Sequence, residues 1–289
     1  MLVAVTGGLG RLGRYVVEAL VDHDLKIIDL AVPADPPRGY HQADLRDLDV
    51  IRAAVAGCEV VVHLGAIDRS FATDDSLTMQ VNALGTWNLF EACRRAGVRR
   101  VVHCSSNSVT GLDRSNPTMP PCHLPIDEEH PLRPSDAYGL SKRCGEAIAE
   151  AYSRRGLEVM VLRPCLVAFP EMADFMAGRD APAGRTEPRP YLCAYVGPED
   201  CARGFAAAVA LSDYAGYETF FLAAADTFAA EPTVARLEAL YNARITVNDP
   251  DLYAGFPRAS PMGHARARDR LGWVPTTRWS IEAGRRYSQ

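Results

Sequence analysis

The sequence predicts an α/β chain built on a doubly wound parallel sheet, and three observations carry that prediction. Short apolar, β-branched runs recur at residues 2–5, 26–30, 60–64, 101–104 and 159–162, each the length of a strand buried on both faces. Between them, apolar residues repeat at helical spacing in Leu12/Val16/Leu20, Leu48/Ile51/Val55 and Leu84/Leu89/Ala92/Ala96, as crossover helices do between parallel strands. The third observation is composition: 289 residues, 48% hydrophobic and 23% charged, is a globular balance sufficient for one elaborated domain or two small ones.

The pattern changes after Arg163-Pro164. Residues 170–191 hold Pro170, Pro182, Pro188 and Pro190 with Gly178 and Gly184, too long and weakly periodic for an ordinary connection, and read as a lid or substrate loop. Beyond it, residues 198–211 read as a helix begun by proline, 219–222 as a strand, 232–241 as a helix, and a last short helix ends at Leu271-Gly272. The expected division is a core over 1–164 and a small subdomain over 165–289.

Charge and cysteine usage narrow the partners. The formal net charge is −5 with no long run of one sign, which argues against a nucleic-acid face. No stretch reaches the ~20 apolar residues of a membrane helix, and Met1-Leu2-Val3-Ala4-Val5 lacks the basic start of a signal peptide; the expected location is the cytoplasm, with no membrane partner. The eight cysteines are scattered, without a C-x-x-C pair or metal-ligand spacing, so reduced thiols and no metal are expected.

The first chemical signal follows the first strand. Gly7, Gly10 and Gly13 form G-x-x-G-x-x-G, with Arg11 and Leu12 opening the next helix; a pyrophosphate can approach bare backbone there and rest on a helix N-terminus. Glycines also make tight turns, but Asp29 ends the second apolar run 22 residues after Gly7, close to the ~20 expected for an acid on the adenosine ribose. A carboxylate there repels a 2′-phosphate, favouring NAD over NADP, although Arg11 offers a counter-charge. Asp44-Leu45 stands just before the Leu48 helix, where the acid could accept from an adenine amino group or simply cap the helix.

Tyr138 and Lys142 are four residues apart in an alanine-rich helical stretch, one turn apart on one face. Lysine is scarce: only Lys26 and Lys142 occur among 31 basic side chains. A tyrosine acting as a base near neutrality needs its pKa lowered by about 3 units from ~10, or about 4 kcal/mol, which a neighbouring ammonium and a cationic nicotinamide favour. Ser105-Ser106-Asn107 ends the fourth apolar run at the strand edge where open sheets bind ligands; a hydroxyl there could orient a substrate oxygen, or merely make a turn.

Together these residues resemble the extended short-chain dehydrogenases/reductases, the family of NAD-dependent sugar epimerases, dehydratases and dehydrogenases, with a Rossmann-type sheet. The resemblance rests on the glycine loop, Asp44-Leu45, His63-Leu64-Gly65-Ala66, Asn82 opening the next helix, Ser106, Tyr138, Lys142 and Arg163-Pro164. It implies that Leu64, Gly65, Ala66, Asn82 and Pro164 join the cofactor site, that Ser106, Tyr138 and Lys142 are catalytic, and that two long helices near 84–96 and 137–155 make a homodimer. Within the family the likeness is to uronate dehydrogenases, which implies substrate contacts from Ser106 and Asn107 and a carboxylate clamp at Arg189, with Arg185 a rival. Asp68 departs from that pattern: an acid replaces a neutral hydroxyl residue, which points to a neutral sugar or polyol.

The resulting expectation is an NAD-dependent oxidoreductase acting on a hydroxyl-bearing carbon of a sugar-like substrate. A dehydratase lacks its Asp-Glu pair beside the serine, since Asn107-Ser108 stands there. An NAD-retaining sugar epimerase is the alternative, although only 125 residues follow Pro164; a non-catalytic NAD sensor is a third reading, against which both Tyr138 and Lys142 are kept.

Overall fold

Five runs of two-sided apolar strand sequence pair side by side in the computed structural model, which describes residues 1–68, 74–112, 119–178, 192–212 and 214–288. In chain order the elements are β1 (Leu2–Thr6), α1 (Arg11–Ala19), β2 (Asp24–Asp29), β3 (Tyr40–Gln42), α2 (Leu48–Val55), β4 (Val60–His63), α3 (Asp75–Met79), α4 (Gly85–Ala96), β5 (Arg100–Cys104), α5 (Ala137–Ser153) and β6 (Glu158–Pro164). There follow β7 (Leu166–Val167), α6 (Ala173–Met176), β8 (Tyr195–Val196), α7 (Pro198–Ala210), β9 (Tyr217–Leu222), α8 (Thr233–Tyr241), α9 (Pro250–Gly255), α10 (Ala265–Leu271), β10 (Thr277–Ser280) and β11 (Arg285–Ser288).

The main sheet has seven strands in the order β3-β2-β1-β4-β5-β6-β9. Its register runs parallel from Ile27 beside Tyr40 to Val101 beside Val159, as right-handed crossovers require. The order reverses between β1 and β4, the crevice where such sheets bind ligands beyond their strand ends. This is the doubly wound fold that the sequence predicts.

Local chemistry fixes the element ends. Asp47 caps α2 by accepting from the backbone N–H groups of Asp49 and Val50, each at 3.1 Å, which satisfies two of the donors a helix start leaves open. Gly97 ends α4 in the left-handed region at φ 73°, where a side chain would be strained. Gly272 ends α10 in the same way.

The chain divides into two compact units that are not contiguous in sequence: residues 1–105, 137–162 and 202–219 form the first, and 106–136, 163–201 and 220–289 the second. The division is therefore not a single cut after Pro164, because the segment that leaves β5 at Ser105 belongs with the later chain until α5 begins. In the first unit, Ile28, Val61, Val101 and Val161 pack with Ile51, Leu89, Phe90 and Ala149 in one continuous core. In the second, one cluster gathers Leu112, Leu124, Ile126, Phe221, Leu237 and Met262, and another Met172, Phe175, Tyr195, Phe228 and Trp279.

Several short elements lie outside the sequence reading: β3, α3, β7, α6, β8, α9 and the β10-β11 hairpin. The Tyr40–Gln42 strand is a half-buried edge with polar residues, so it carries none of the apolar signal of a central strand. Of the stretch 170–191 read as a lid or substrate loop, residues 170–176 form a short 3₁₀ turn at Pro170–Met172 and α6, and residues 179–191, with Arg185 and Arg189, lie outside the described residues.

Candidate functional site

The glycine loop is shaped by close backbone approach. Gly7 sits at φ 70°, and a Cβ on it would meet the Gly65 Cα at 2.8 Å. A Cβ on Gly13 would lie 2.1 Å from the Gly7 carbonyl oxygen, so α1 can come down on the loop only with glycine there. Gly10 is the N-cap of α1 and offers no side chain to its first turn, which also lacks an acidic residue. Arg11 and Leu12 thus begin a helix whose N-terminal dipole meets no protein anion from its own first turn, an arrangement suited to a pyrophosphate.

Asp29 ends β2 beside this loop. Its carboxylate accepts from the Leu9 N–H at 2.9 Å and the Ala31 N–H at 3.0 Å. It therefore shapes the glycine loop, and each carboxylate oxygen keeps a second lone pair able to accept from a ligand hydroxyl.

Asp44 does not cap α2; Asp47 does. Asp44 instead takes a forked contact from Arg46, with Nη2 at 2.5 Å and Nε at 3.0 Å, and that bond holds its carboxyl below the usual range. Leu45 is buried where glycines open space: a Cβ on Gly85 would meet the Leu45 Cβ at 2.8 Å, and one on Gly65 its Cδ1 at 3.0 Å. Leu64, Gly65 and Ala66 follow β4 directly, half-buried at the strand edge.

Tyr138 and Lys142 share one face of α5, with the Lys142 Nζ 5.8 Å from the Tyr138 ring centre. Lys142 is 5% exposed and donates to the Cys104 carbonyl at the end of β5, at 2.9 Å. Burial lowers its pKa, opposed by the fields of Cys104, Asp68 and Glu146. Glu146, one further turn along α5, is fully buried and accepts from the Ser105 hydroxyl at 2.6 Å.

Asn82 does not open a helix. It lies inside a π-helical stretch, Gln80–Leu84, between α3 and α4, the kind of bulge that recurs at functional sites. Its Oδ1 accepts from the Ile67 N–H at 2.7 Å, and its Nδ2 donates to the Ile67 carbonyl at 3.0 Å and to the Ser141 hydroxyl at 3.2 Å. Ser141 in turn donates to the Tyr138 carbonyl at 2.7 Å. The loop that carries exposed Asp68 is thus tied to the first turn of α5.

In the second unit, Ser106 is the N-cap of a 3₁₀ turn, Asn107–Thr110, and its hydroxyl accepts from the Ser108 N–H at 3.1 Å. The turn role of this serine is therefore realised, and Asn107 is buried beside it. Arg163, also buried, lies over the Phe221 ring at 5.3 Å, and Pro164 ends β6. Among the described residues no cluster of His, Cys, Asp and Glu has the makings of a metal site. All eight cysteines are free.

Sequence reasoning missed the buried polar groups beneath the loop. His63 joins Thr6 and Thr86, and Ser141 joins Asn82 to Tyr138. Their only sequence signal is that polar residues sit within apolar runs, since their partners are up to 59 residues away.

The glycine cradle, the uncapped start of α1, Asp29 and the Lys142 ammonium fit a bound nicotinamide dinucleotide: small where a diphosphate must approach, acidic at the ribose, cationic at the far end. Residues 3–183 match the NAD dependent epimerase/dehydratase family, and the chain belongs to that family. It is 36% identical over 166 residues to a uronate dehydrogenase of Pseudomonas syringae, a match covering 55% of this chain and 57% of that protein. An L-arabinose 1-dehydrogenase (NAD(P)(+)) of Haloferax volcanii is 34% identical over 220 residues, 73% of this chain and 83% of that protein. Among solved structures, a short-chain dehydrogenase/reductase superfamily protein from Agrobacterium tumefaciens with bound NAD superposes with a TM-score of 0.70 at 27% identity, covering 98% of this chain and 94% of that one.

Proposed function

We propose that the protein is an NAD-dependent dehydrogenase that moves hydride between the cofactor and a hydroxyl-bearing carbon of a sugar. The observation that carries this reading is the Tyr138-Lys142 pair on α5, with the buried ammonium held at the end of β5 by the Cys104 carbonyl. Gly7, Gly10, Arg11, Leu12 and Gly13 would hold the diphosphate, Asp29 the adenosine ribose, and Asp44 and Leu45 the adenine side. Leu64, Gly65, Ala66, Asn82 and Pro164 complete the cofactor site in this proposal. Bound NAD supplies the hydride acceptor. Tyr138 takes the proton from the reacting hydroxyl, Lys142 favours the phenolate by its charge, and Ser106 orients the substrate oxygen.

Asn107 and Arg189 would bind the rest of the substrate. The Asp68 carboxylate accepts hydrogen bonds from sugar hydroxyls and repels a sugar carboxylate, so a neutral aldose is favoured over a uronate. The L-arabinose 1-dehydrogenase relative supports that choice; the uronate dehydrogenase relative supports the opposite one. Residues 165–289 would serve as the substrate-binding part of the chain.

A homodimer through α4 and α5 is supported by Leu84, Trp87 and Leu140, which are 51%, 40% and 46% exposed on these helices and the turn before them. No helix among the described residues is long and apolar enough to cross a membrane, and reduced cysteines suit the cytoplasm.

The test is NADH formation with NAD against neutral aldoses, hexuronates, sugar acids and nucleotide sugars. Growth of NADH with an aldose is expected. NAD that copurifies and gives no net NADH with any sugar would favour an epimerase, and binding without turnover of any kind a sensor.

A further inference from the structure

Beneath the glycine loop, five groups of the first unit form an unbroken hydrogen-bond chain. The Gly65 N–H donates to the Thr6 hydroxyl at 3.2 Å. Thr6 Oγ1 lies 2.7 Å from His63 Nδ1, and His63 Nε2 lies 3.1 Å from Thr86 Oγ1. Thr86 Oγ1 lies 2.5 Å from the Asn82 carbonyl. Thr6, His63, Thr86 and Asn82 are all buried.

The directions of these bonds follow from counting protons. The Asn82 carbonyl can only accept, so the single Thr86 proton goes to it. Thr86 then receives from His63, which places a proton on Nε2. Burial, with the nearby Lys142 charge, draws the His63 pKa down to about 3, so the ring is neutral and its Nδ1 is bare. Nδ1 therefore accepts the Thr6 proton, and the freed lone pair of Thr6 accepts from Gly65. Every donor has one acceptor in this arrangement, and the reverse tautomer leaves the Asn82 carbonyl without the Thr86 proton.

We propose that His63 is a positioning residue, fixed as the Nε2–H tautomer, that carries a one-way relay from the glycine floor at Gly65 to the Asn82 turn. From Asn82 the connection continues through Ser141 to Tyr138 by the bonds described above. One end of the relay lies under the loop that receives the diphosphate, and the other sets the turn against which the first turn of α5 is held. His103 keeps the imidazole in place: the two rings stack 5.2 Å apart at 27°. Gly145 allows α5 this close, since a Cβ there would sit 2.9 Å from His103 Nε2. Through the Asn82 backbone and side chain, the relay joins the cofactor floor to the backbone of the helical turn that carries the base, so breaking it lowers turnover rather than substrate affinity alone.

Two measurements on the full chain test this. In the first, two-bond ¹H–¹⁵N correlation spectra of ¹⁵N-histidine protein, with His63 assigned by its loss in His63→Gln, are expected to show the Nε2–H form unchanged from pH 6 to 8. A Nδ1–H tautomer or an imidazolium overturns the proposal. In the second, Thr6→Val and Thr86→Val are each expected to lower kcat by about tenfold, since small misplacements at a reacting centre are costly. The corresponding serine variants, which keep the hydroxyl, stay within about twofold, and the double valine variant falls about fivefold short of the product of the single losses. Equal losses for serine and valine, or full additivity, overturn it. The kinetic measurement rests on the dehydrogenase reading and the spectrum does not: a protein that oxidises no sugar defeats that reading alone, and the tautomer then decides the relay.

Discussion

Buried charged and polar groups serve opposite ends in the two units. In the second, Asp226 accepts from the Tyr195 hydroxyl at 2.7 Å and the Trp279 N–H at 3.0 Å. Asp200 there accepts from Thr276 N–H, Thr276 hydroxyl and Thr277 N–H between 2.7 and 2.9 Å. These carboxylates are used by the fold itself, holding irregular chain that no long helix or wide sheet organises. In the first unit the sheet already organises the chain, and Lys142, Glu146 and Ser105 gather at the end of β5. Lys142 meets one backbone carbonyl among the bonds described here, which leaves the ammonium donors in hand for a ligand. Polar burial that is fully consumed stabilises; polar burial at a strand edge with capacity left over binds.

Tyr138→Phe breaks the comparison most severely if it fails. It is expected to lower kcat by about a hundredfold to ten-thousandfold while NAD binding, measured by protein fluorescence quenching, persists, because general-base transfer is typically worth that much.

Gly13→Ala and Gly10→Ala separate packing from ligand space. The first forces a contact at 2.1 Å with the Gly7 carbonyl, so it should weaken NAD about a hundredfold, roughly 2.7 kcal/mol, and lower Tm. The second meets only the same carbonyl at 3.1 Å, and should weaken NAD with little change in Tm.

Asp200→Ala tests the other unit. It leaves two backbone amides without their acceptor, and a loss of about 2–4 kcal/mol in urea-measured stability is expected, with the Kd for NAD of the folded protein unchanged. A variant of full stability with weakened NAD would reverse the roles assigned to the two units.

The smallest effect is one of pH. Burial holds His63, His103, His130 and His264 below the ordinary value of 6.5. Below that pH the unfolded chain binds protons that the native one refuses, so stability is complete above about pH 6.5 and falls as pH falls, for His63 until about pH 3. In that window His63 contributes up to about 1.4 kcal/mol per pH unit. Urea midpoints should therefore fall from pH 7 to pH 5, and His63→Gln should reduce the slope.

The legible part of the site is the part made by neighbours in sequence. Gly7, Gly10 and Gly13 show in the sequence because backbone approach excludes side chains at a fixed spacing, and Tyr138 with Lys142 because four residues make one helical turn. Asp44 was ambiguous in sequence for the same local reason: an acid before a helix can cap it, and only the structure shows Asp47 doing so while Asp44 pairs with Arg46. The family resemblance puts Asn82 at a helix start, whereas it lies inside a π-helical stretch whose five residues leave no periodic signature in the sequence.

By itself the sequence determined the apolar strands of the main sheet, the crossover helices, the glycine loop, and the tyrosine and lysine of the proposed chemistry, since these depend on periods of two to four residues and on residue size. Tertiary structure alone decided the interleaving of the two units, the His63 relay and the Asp200 and Asp226 networks. Apart from the Thr86–Asn82 bond within one helical turn, their partners stand 23 to 77 residues apart, and the choice among many possible donors is made only when the packed chain excludes water and leaves each buried group one partner within reach.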